Sequence, residues 1–259
     1  MKILVVTLLS LILMSFIAIT PPAEPILSGV YRWADFPVKT SADREFRKIF
    51  EGSSSHLSLL SIHATTQLPG AEPSNAHAND DSEELVIIKE GIAHINLNGQ
   101  IKELGPNGIL SLQPNQMHSI ANAGTTPLTY YVFRFKSNAP KNLQRGISSG
   151  GTMAIHADTL TFTPSAKGGG MPYFDRPTTM FERLEMHMTQ LNNPGPSHAP
   201  HQHAETEVIL VLSGNTEMTI DGLNYTAQPG DFYFMESGTL HGIHNVSDKP
   251  CSYLAFKWK

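Results

Sequence analysis

The sequence contains a single cysteine, Cys251, in 259 residues. One cysteine excludes an intrachain disulfide, and with it the disulfide-held scaffolds of many small secreted domains. The chain also lacks an excess of basic residues, because 18 Lys and Arg stand against 23 Asp and Glu, a net charge of −5. Since nucleic-acid binding depends on a basic surface, we expect no nucleic-acid partner.

Long apolar runs are scarce, and the clear one lies at the start. Residues 3–19 are almost all apolar, follow Met1-Lys2 and precede a proline-rich exit at residues 20–25. This order predicts a signal peptide over residues 1–23, with Ala18 and Ala23 as candidate cleavage positions. The alternative is an uncleaved membrane anchor, because the run approaches spanning length. Export without disulfides favours a bacterial periplasm, with no stable membrane association after cleavage.

The rest of the chain contains an internal duplication. Residues 84–136 align without gaps to residues 207–259 at a constant offset of 123, and related positions match upstream at offsets of 124 and 125. This predicts two tandem domains, residues 24–136 and 171–259. Residues 137–170, rich in Gly, Ser and Pro, are predicted to be a linker with a possible extra strand.

The repeat unit has the pattern of β-structure. Apolar runs such as residues 86–88 and 208–212 have strand length, and residues 181–191 alternate with period two. Asn98-Gly99 and Asp221-Gly222 are typical of type I′ hairpin turns. At most one short helical turn is predicted, over residues 44–50. The fold class is therefore all-β, with two barrels or jelly rolls.

Histidines and a glutamate recur at defined spacings in the second repeat. Gly195, His201, His203, Glu207 and Gly214 form one motif. A second motif follows it, and its members are Gly230, Glu236, Gly238, His241 and Asn245.

These motifs resemble those of the cupin superfamily, and the repeat makes the chain similar to bicupins. Glu236 departs from the pattern, because proline is usual there. The resemblance implies two tandem jelly-roll barrels and a metal site at His201, His203, Glu207 and His241. On a strand, residues i and i+2 share a face, which fits the first two histidines. We expect one divalent ion, Mn, Fe, Ni or Zn, with open positions in octahedral coordination.

The first repeat is degenerate at the same place. Its nearest match is His77, Asn79, Glu84 and His118, with asparagine in place of the second histidine and one additional residue before the glutamate. Because an amide oxygen is a poorer ligand than imidazole for late transition metals, weak metal binding or none is expected here.

Comparing the repeats nominates catalytic candidates. Arg183 and Glu185 share one strand face, where an arginine suits a substrate carboxylate and a carboxylate suits a general base. The alternative is that both are surface charges and the methionine face is buried. Glu236 either supports His241 or is exposed.

Other side chains near the motifs are expected to play structural roles. His187 matches His63 in the first repeat, and His198 and His244 are expected at the rim of the site. The aromatic residues either line an apolar cavity or fill the core; they are Phe232, Phe234, Phe256 and Trp258.

The function expected first is a metal-dependent enzyme that uses the ion as a Lewis acid on a small sugar acid or organic acid. This follows the resemblance to cupins that open or isomerise unsaturated uronates. A second hypothesis is an oxygen-dependent dioxygenase, oxidase or decarboxylase like some bicupins. His198 stands where oxalate-active relatives carry an arginine, which disfavours oxalate.

A weaker resemblance is to ureidoglycine aminohydrolases, whose metal set differs from the pattern of this chain. The remaining alternative is a non-catalytic sugar-binding or storage module. A small-molecule substrate is expected in the enzymatic cases, and cupins often form homodimers.

Overall fold

The structure, a computed structural model, describes residues 23–259. The predicted signal peptide lies outside these residues, apart from Ala23, and stays a prediction. Over the described part of the chain, no helix is both long and apolar enough to cross a membrane.

Strands dominate both halves of the described chain. The first ten are β1 (Gly29–Tyr31), β2 (Val38–Thr40), β3 (Arg44–Gly52), β4 (Leu57–Gln67), β5 (Glu83–Glu90), β6 (Ala93–Leu97), β7 (Gln100–Leu104), β8 (Ile109–Leu112), β9 (His118–Asn122) and β10 (Leu128–Ser137). After the short helix α1 (Leu143–Ser148) come β11 (Met153–Ile155), β12 (Thr163–Ser165), β13 (Gly168–Arg176), β14 (Leu184–Leu191), β15 (Gly195–Pro196), β16 (Thr206–Ser213), β17 (Thr216–Ile220), β18 (Leu223–Ala227), β19 (Phe232–Met235), β20 (His241–Asn245) and β21 (Cys251–Trp258). Single 3₁₀ turns occupy Trp33–Asp35 and Ala157–Thr159.

Each half forms a seven-stranded sheet and a smaller sheet. In the first barrel the large sheet has the strand order β11-β8-β5-β10-β4-β3-β2, and the small sheet has the order β7-β6-β9. In the second barrel the order β1-β19-β16-β21-β14-β13-β12 accompanies β15-β20-β17-β18. Apart from the extra strand β15, the strand order of one barrel repeats that of the other. The predicted fold class, all-β with two tandem jelly-roll barrels related by duplication, is confirmed.

Tight turns close the equivalent hairpins of the two barrels. Asn98 and Gly99 have φ values of 50° and 88°, and Asp221 and Gly222 have 46° and 82°. Positive φ at both central positions is the type I′ conformation that the two dipeptides predicted. These turns join β6 to β7 and β17 to β18, and so fix the register of the small sheets.

The two barrels exchange their leading strands. Strand β1, which precedes the first barrel, pairs with β19 of the second, and β11, which precedes the second barrel, pairs with β8 of the first. Strand β11 lies within residues 137–170, where an extra strand was predicted. The boundaries 24–136 and 171–259 divide the chain in sequence. In the structure, however, each large sheet contains one strand from outside its own segment.

The large sheets of the two barrels pack face to face through a shared aromatic core. Ring centroids lie 4.9 Å apart for Phe133 and Phe256, and 5.5 Å apart for Phe135 and Trp258. All four side chains are at most 1% exposed. Phe232, Phe234, Phe256 and Trp258 therefore fill the core between the barrels and do not line the cavity with the clustered histidines.

Because the two large sheets pack against each other, their inner strands are apolar on both faces. On β16, Val208 and Leu210 belong to the shared core, whereas Ile209 and Val211 pack inside the second barrel. Burial on both faces explains the continuous apolar run, which an exposed sheet would replace with alternation.

The helical turn predicted over residues 44–50 is wrong, because this segment belongs to β3. Phe46, Ile49 and Phe50 have the i, i+3, i+4 spacing that is typical of the apolar face of a helix. In the structure, the register shifts between Lys48 and Phe50, which marks a β-bulge. The bulge buries both Ile49 and Phe50, at 3% and 7% exposure.

Candidate metal centre

Three histidines converge inside the second barrel. His201 and His241 are held side by side, because the backbone N–H of each donates to the carbonyl of the other at 2.9 Å. One nitrogen from each of His201, His203 and His241 lies within 4.8 Å of the other two. The segment between β15 and β16, which contains His201 and His203, and the start of β20, which contains His241, thus bring three of the predicted ligands together.

Glu207 completes the cluster at the start of β16. Its Oε2 lies 3.1 Å from His203 Nε2 and 3.0 Å from His241 Nε2. The Nδ1 atoms of the two rings contact backbone carbonyls, those of Glu205 at 2.9 Å and Thr239 at 2.8 Å. A carbonyl only accepts, so each Nδ1 carries a hydrogen and each neutral ring turns its Nε2 lone pair to the carboxylate.

Two lone pairs facing a carboxylate require a positive charge between them. A proton can supply it, because the hydrogen bond to Glu207 raises the pKa of His203. Burial favours a higher pKa for Glu207, yet the hydrogen bonds with His203 and His241 hold it well below its ordinary value. A divalent cation fits the same place, since neutral imidazoles and a carboxylate are its usual ligands.

His201 is in the form that a ligand requires. Burial, followed by the charges of His241 and His198, lowers its pKa to about 4, so the ring is neutral at neutral pH. Its Nδ1 is buried without a hydrogen-bond partner. Buried polar nitrogens are rarely unpaired, and this one lies in a group whose donors all suit a metal. The residues present therefore fit a divalent ion.

A cavity of about 130 Å³ opens beside the cluster. Its lining includes Thr189, His198, Tyr253 and Lys257 together with the apolar Ile209 and Met218. Burial raises the pKa of Tyr253 to about 12, so this hydroxyl keeps its proton. Lys257 is the lysine among the lining residues.

Sequence reasoning missed Lys257. A signal for it existed, because Phe256 and Trp258 are core residues and strand alternation turns Lys257 to the opposite face. The Nζ of Lys257 lies 3.4 Å from Glu185 Oε2, and His187 Nδ1 lies 3.3 Å from Glu185 Oε1. Glu185 thus lies at the edge of the cavity, where it holds a lysine and a histidine.

Arg183 is placed differently from its predicted role. Its Nε and Nη2 donate to the two oxygens of Asp175 at 2.8 Å each, and Nη2 also reaches Glu185 at 2.6 Å. Its Nη1 approaches Glu205 at 3.4 Å. Three carboxylates therefore already surround the guanidinium, whereas Lys257 is the basic residue that lines the cavity.

The two faces of β14 explain why period two alone was ambiguous. Met186 and Met188 belong to the shared core, whereas His187 and Thr189 line the cavity of the second barrel. The methionine face is therefore buried, whereas the face with Glu185, His187 and Thr189 is partly exposed beside the cavity. His198 also lines the cavity, with its ring centroid 4.4 Å from that of His201.

Glu236 joins the two barrels. Its Oε1 accepts from the Thr206 hydroxyl at 2.9 Å and from Ser237 N at 2.7 Å, and its Oε2 accepts from Ser55 N at 3.0 Å. His241 Nδ1 instead contacts the carbonyl of Thr239. The geometry supports an indirect role, since Thr206 directly precedes the ligand Glu207.

We expect Glu236→Ala to destabilise the protein without removing metal. The substitution leaves two backbone donors and one hydroxyl without their acceptor, which costs about 1–3 kcal/mol. Thermal unfolding and elemental analysis measure the two effects, with exposed Glu182→Ala as the control. Loss of metal at unchanged stability would contradict this role and favour direct participation of Glu236 in the site.

The equivalent position in the first barrel is also anchored across the domains. Glu83 precedes Glu84 as Thr206 precedes Glu207. The Glu83 carboxylate accepts from the Thr178 hydroxyl and from Thr179 N, both at 2.7 Å. Burial raises the pKa of Glu83. The first residue of β5 is therefore bonded directly to the other half of the chain, and the first residue of β16 is connected to it through Glu236 and Ser55.

A smaller cluster occupies the first barrel. His118 Nε2 lies 3.1 Å from Glu84 Oε2, and His77 Nε2 lies 4.0 Å from the same oxygen. These three residues form a compact group of possible ligands. Asn79 is half-buried, and its backbone carbonyl accepts from Asn115 N at 2.6 Å. The structure thus brings together three of the four positions considered in this repeat.

Two families match the chain in sequence. The cupin domain family matches residues 188–257, the segment that contains the second cluster. A family described as AraC-like ligand binding domain matches residues 71–161, the segment that contains the first cluster.

Solved structures share the whole two-barrel arrangement at low sequence identity. Protein Ylba from E. coli has a TM-score of 0.69 at 15% identity, covering 95% of this chain and 96% of that one. AerE from Microcystis aeruginosa has a TM-score of 0.66 at 15% identity, covering 86% and 98%. The oxalate decarboxylase of Lactobacillus farciminis, solved as a formate complex, has a TM-score of 0.70 at 14% identity, covering 90% and 87%. Likeness at this identity concerns the fold alone.

Proposed function

We propose that this chain, a bicupin with two tandem cupin domains, is a metal-dependent enzyme whose second barrel acts on a small organic acid or sugar acid. The observation that carries the proposal is the convergence of three histidine nitrogens, with the Glu207 carboxylate in contact with two of the rings. The His203 and His241 tautomers are fixed by backbone carbonyls, and the Glu207 carboxylate faces both. Four protein ligands leave about two of six octahedral positions for substrate oxygens.

The bound ion would supply Lewis acidity, polarising a substrate carbonyl or stabilising an enediolate. The chain's own residues orient the substrate. Lys257 offers an ammonium to a carboxylate, and Glu185 holds that ammonium at the edge of the cavity. The Tyr253 hydroxyl keeps its proton and can donate a hydrogen bond. A cavity of about 130 Å³ has the volume of about four water molecules, which favours a small substrate.

Activity on a panel of small acids tests this proposal. The protein, stripped of metal and reconstituted separately with Mn, Fe, Ni or Zn, would be offered unsaturated uronates, 2-hydroxy acids, 2-oxo acids and oxalate. We expect conversion of one class without consumption of oxygen, and none by the His201→Ala/His203→Ala variant. Oxygen uptake in an electrode cell would favour the oxygen-dependent alternative. Equal inactivity of both proteins across the panel would contradict the enzyme and favour a binding module.

We expect Lys257→Gln to weaken carboxylate binding at the second barrel about tenfold, because a hydrogen bond to a charged group contributes about 1.5–3 kcal/mol. Calorimetry would compare pyruvate with pyruvamide, which lacks the charge, on metal-loaded protein. A His77→Ala background keeps the first barrel out of the measurement. The amide should bind equally to both proteins. A parallel loss for the amide would mean that Lys257 acts on the site's structure and not on the carboxylate.

We also propose that the chain is exported, supported by the apolar segment at residues 3–19 and its proline-rich exit. Expression in a Gram-negative host should place the mature protein in the periplasmic fraction. N-terminal sequencing should begin after Ala18 or Ala23. A full-length chain in the membrane fraction would contradict cleavage and favour an anchor.

A further inference from the structure

The first barrel contains a cluster that the proposed function does not use. We propose that His77, Glu84 and His118 form a second metal site with three ligands, and that its metal holds a small chelating acid whose apolar end lies against the barrel wall. The observations that carry this inference are the ligand geometry, the cavity beside it and the charge balance of its lining.

The ligand geometry repeats that of the second barrel without its second histidine. His77 and His118 exchange backbone hydrogen bonds at 3.0 Å and 2.9 Å, as His201 and His241 do. Their Nδ1 atoms contact the carbonyls of Asn75 and Gln116, each at 3.0 Å. Both neutral rings therefore turn an Nε2 lone pair toward Glu84. Two imidazoles and one carboxylate are the ligand set of sites that keep several positions open to small molecules.

Asn79 stands where the second barrel has a histidine ligand, so the first barrel has fewer ligands but still keeps three. Asn79 is half-buried and is not among the residues that line the cavity beside His77, Glu84 and His118. These three side chains are therefore the protein ligands of the proposed site. A six-coordinate metal on three protein ligands has about three open positions, against about two in the second barrel. Such a metal accepts a bidentate ligand and still retains one water.

The adjoining cavity is the larger of the two that lie beside clustered histidines. Its volume is about 220 Å³, against about 130 Å³ in the second barrel. This volume corresponds to about seven water molecules and is below that of drug-sized ligand sites. Apolar side chains form much of its wall, namely Phe46, Val86, Ile120 and Val132.

The charges of the lining point to a chelating monoanion. A divalent ion with Glu84 as its one carboxylate has a net charge of +1. Arg44 also lines the cavity, but its Nε and Nη2 donate to Asp43 at 3.1 Å and 2.8 Å. Since that ion pair satisfies the arginine, the metal is the group that recognises the anionic end, and the apolar wall receives the other end.

Metal stoichiometry tests the site directly. Elemental analysis of the purified protein after Mn²⁺ loading and buffer exchange should give about two equivalents. It should give about one each for His77→Ala and His203→Ala, and none for the double variant. His77 is half exposed, so its removal should leave the barrel folded. The controls are Asn79→Ala and His94→Ala, a histidine paired with Glu103 on the same domain.

The alternative is that His118 and Glu84 form an ion pair that binds no metal. It predicts about one equivalent in the parent protein, lost in His203→Ala and unchanged in His77→Ala. That result would overturn the second site and leave the proposed function of the second barrel intact. If instead the parent protein bound one equivalent that was lost in His77→Ala and kept in His203→Ala, the second site would stand and the proposed metal site of the second barrel would be overturned.

Two acids with the same chelating end test the ligand class. On Mn²⁺-loaded His203→Ala protein, 4-methyl-2-oxopentanoate should bind at least about tenfold tighter than pyruvate, because its extra apolar carbons are buried against the wall. Phe46→Ala should reduce this ratio. Equal affinities for the two acids, or a ratio indifferent to Phe46, would overturn the proposed ligand class.

Discussion

Replacing His201 and His203 together by alanine should remove one equivalent of divalent metal from the protein. The pair supplies two of the four converging ligands, and the remaining Glu207 and His241 cannot enclose an ion. Changes in the surroundings of a ligand already cost about 10–100-fold in metal affinity, so removal of two ligands should exceed that range. Elemental mass spectrometry of matched preparations gives the stoichiometry.

The same variant should lose the stabilisation that added metal gives to the second barrel. A ligand at 100 times its dissociation constant raises the free energy of unfolding by about 2.7 kcal/mol. Thermal unfolding with and without Mn²⁺ measures this difference, and a His77→Ala background isolates the second barrel. His94→Ala is the control, because His94 is exposed and pairs with Glu103 outside both histidine clusters. An unchanged metal content in the double variant would contradict the site.

The ligand positions of the second barrel were predicted from sequence because they match the two motifs that resemble those of cupins. His201 and His203 lie in the segment between β15 and β16, not on a strand as the i, i+2 spacing suggested, and Glu207 lies at the start of β16. The repeat brought His241 to the position of His118. In the structure, a backbone bridge joins His201 to His241, and an equivalent bridge joins His77 to His118.

Some contacts of the site residues are contained in no local pattern. Arg183 stays a predicted substrate-binding residue, but sequence could not show Asp175, Glu185 and Glu205 around it. The contact of Lys257 with Glu185 could not be read from sequence either, although strand alternation placed Lys257 opposite the core. For the first barrel, weak metal binding or none was expected because Asn79 replaces a histidine, and the structure shows that the other three positions converge.

The joining of the two barrels was also invisible in the sequence. The apolar runs of β5, β10, β16 and β21 indicated burial, but not that one face of each strand belongs to a core shared between domains. The exchanged strands β1 and β11 lie in segments of weak pattern. The pairing partners of such short strands depend on the sheet edges that the rest of the fold leaves open.

The second large effect is expected from this shared core. Phe133 is 0% exposed and meets Phe232 at 5.9 Å and Phe256 at 4.9 Å across the interface. Phe133→Ala and Phe256→Ala should each cost about 3–5 kcal/mol, a large share of the total of about 5–15 kcal/mol. Denaturant unfolding gives the values. The double variant should show a coupling energy of about 0.5–1.5 kcal/mol, because each substitution removes the same edge-to-face contact.

The form of the transition distinguishes a shared core from two adjacent domains. If the barrels unfold as one unit, Phe133→Ala in the first barrel should move a single transition monitored by any probe, including metal release from the second. Exposed Leu223→Ala is the control and should shift the midpoint little. Two separate transitions, with Phe133→Ala moving one and Phe256→Ala the other, would contradict the shared core. Cooperative unfolding would mean that the strands carrying Glu84 and Glu207 depend on one packing unit, and that damage to either barrel reaches both clusters.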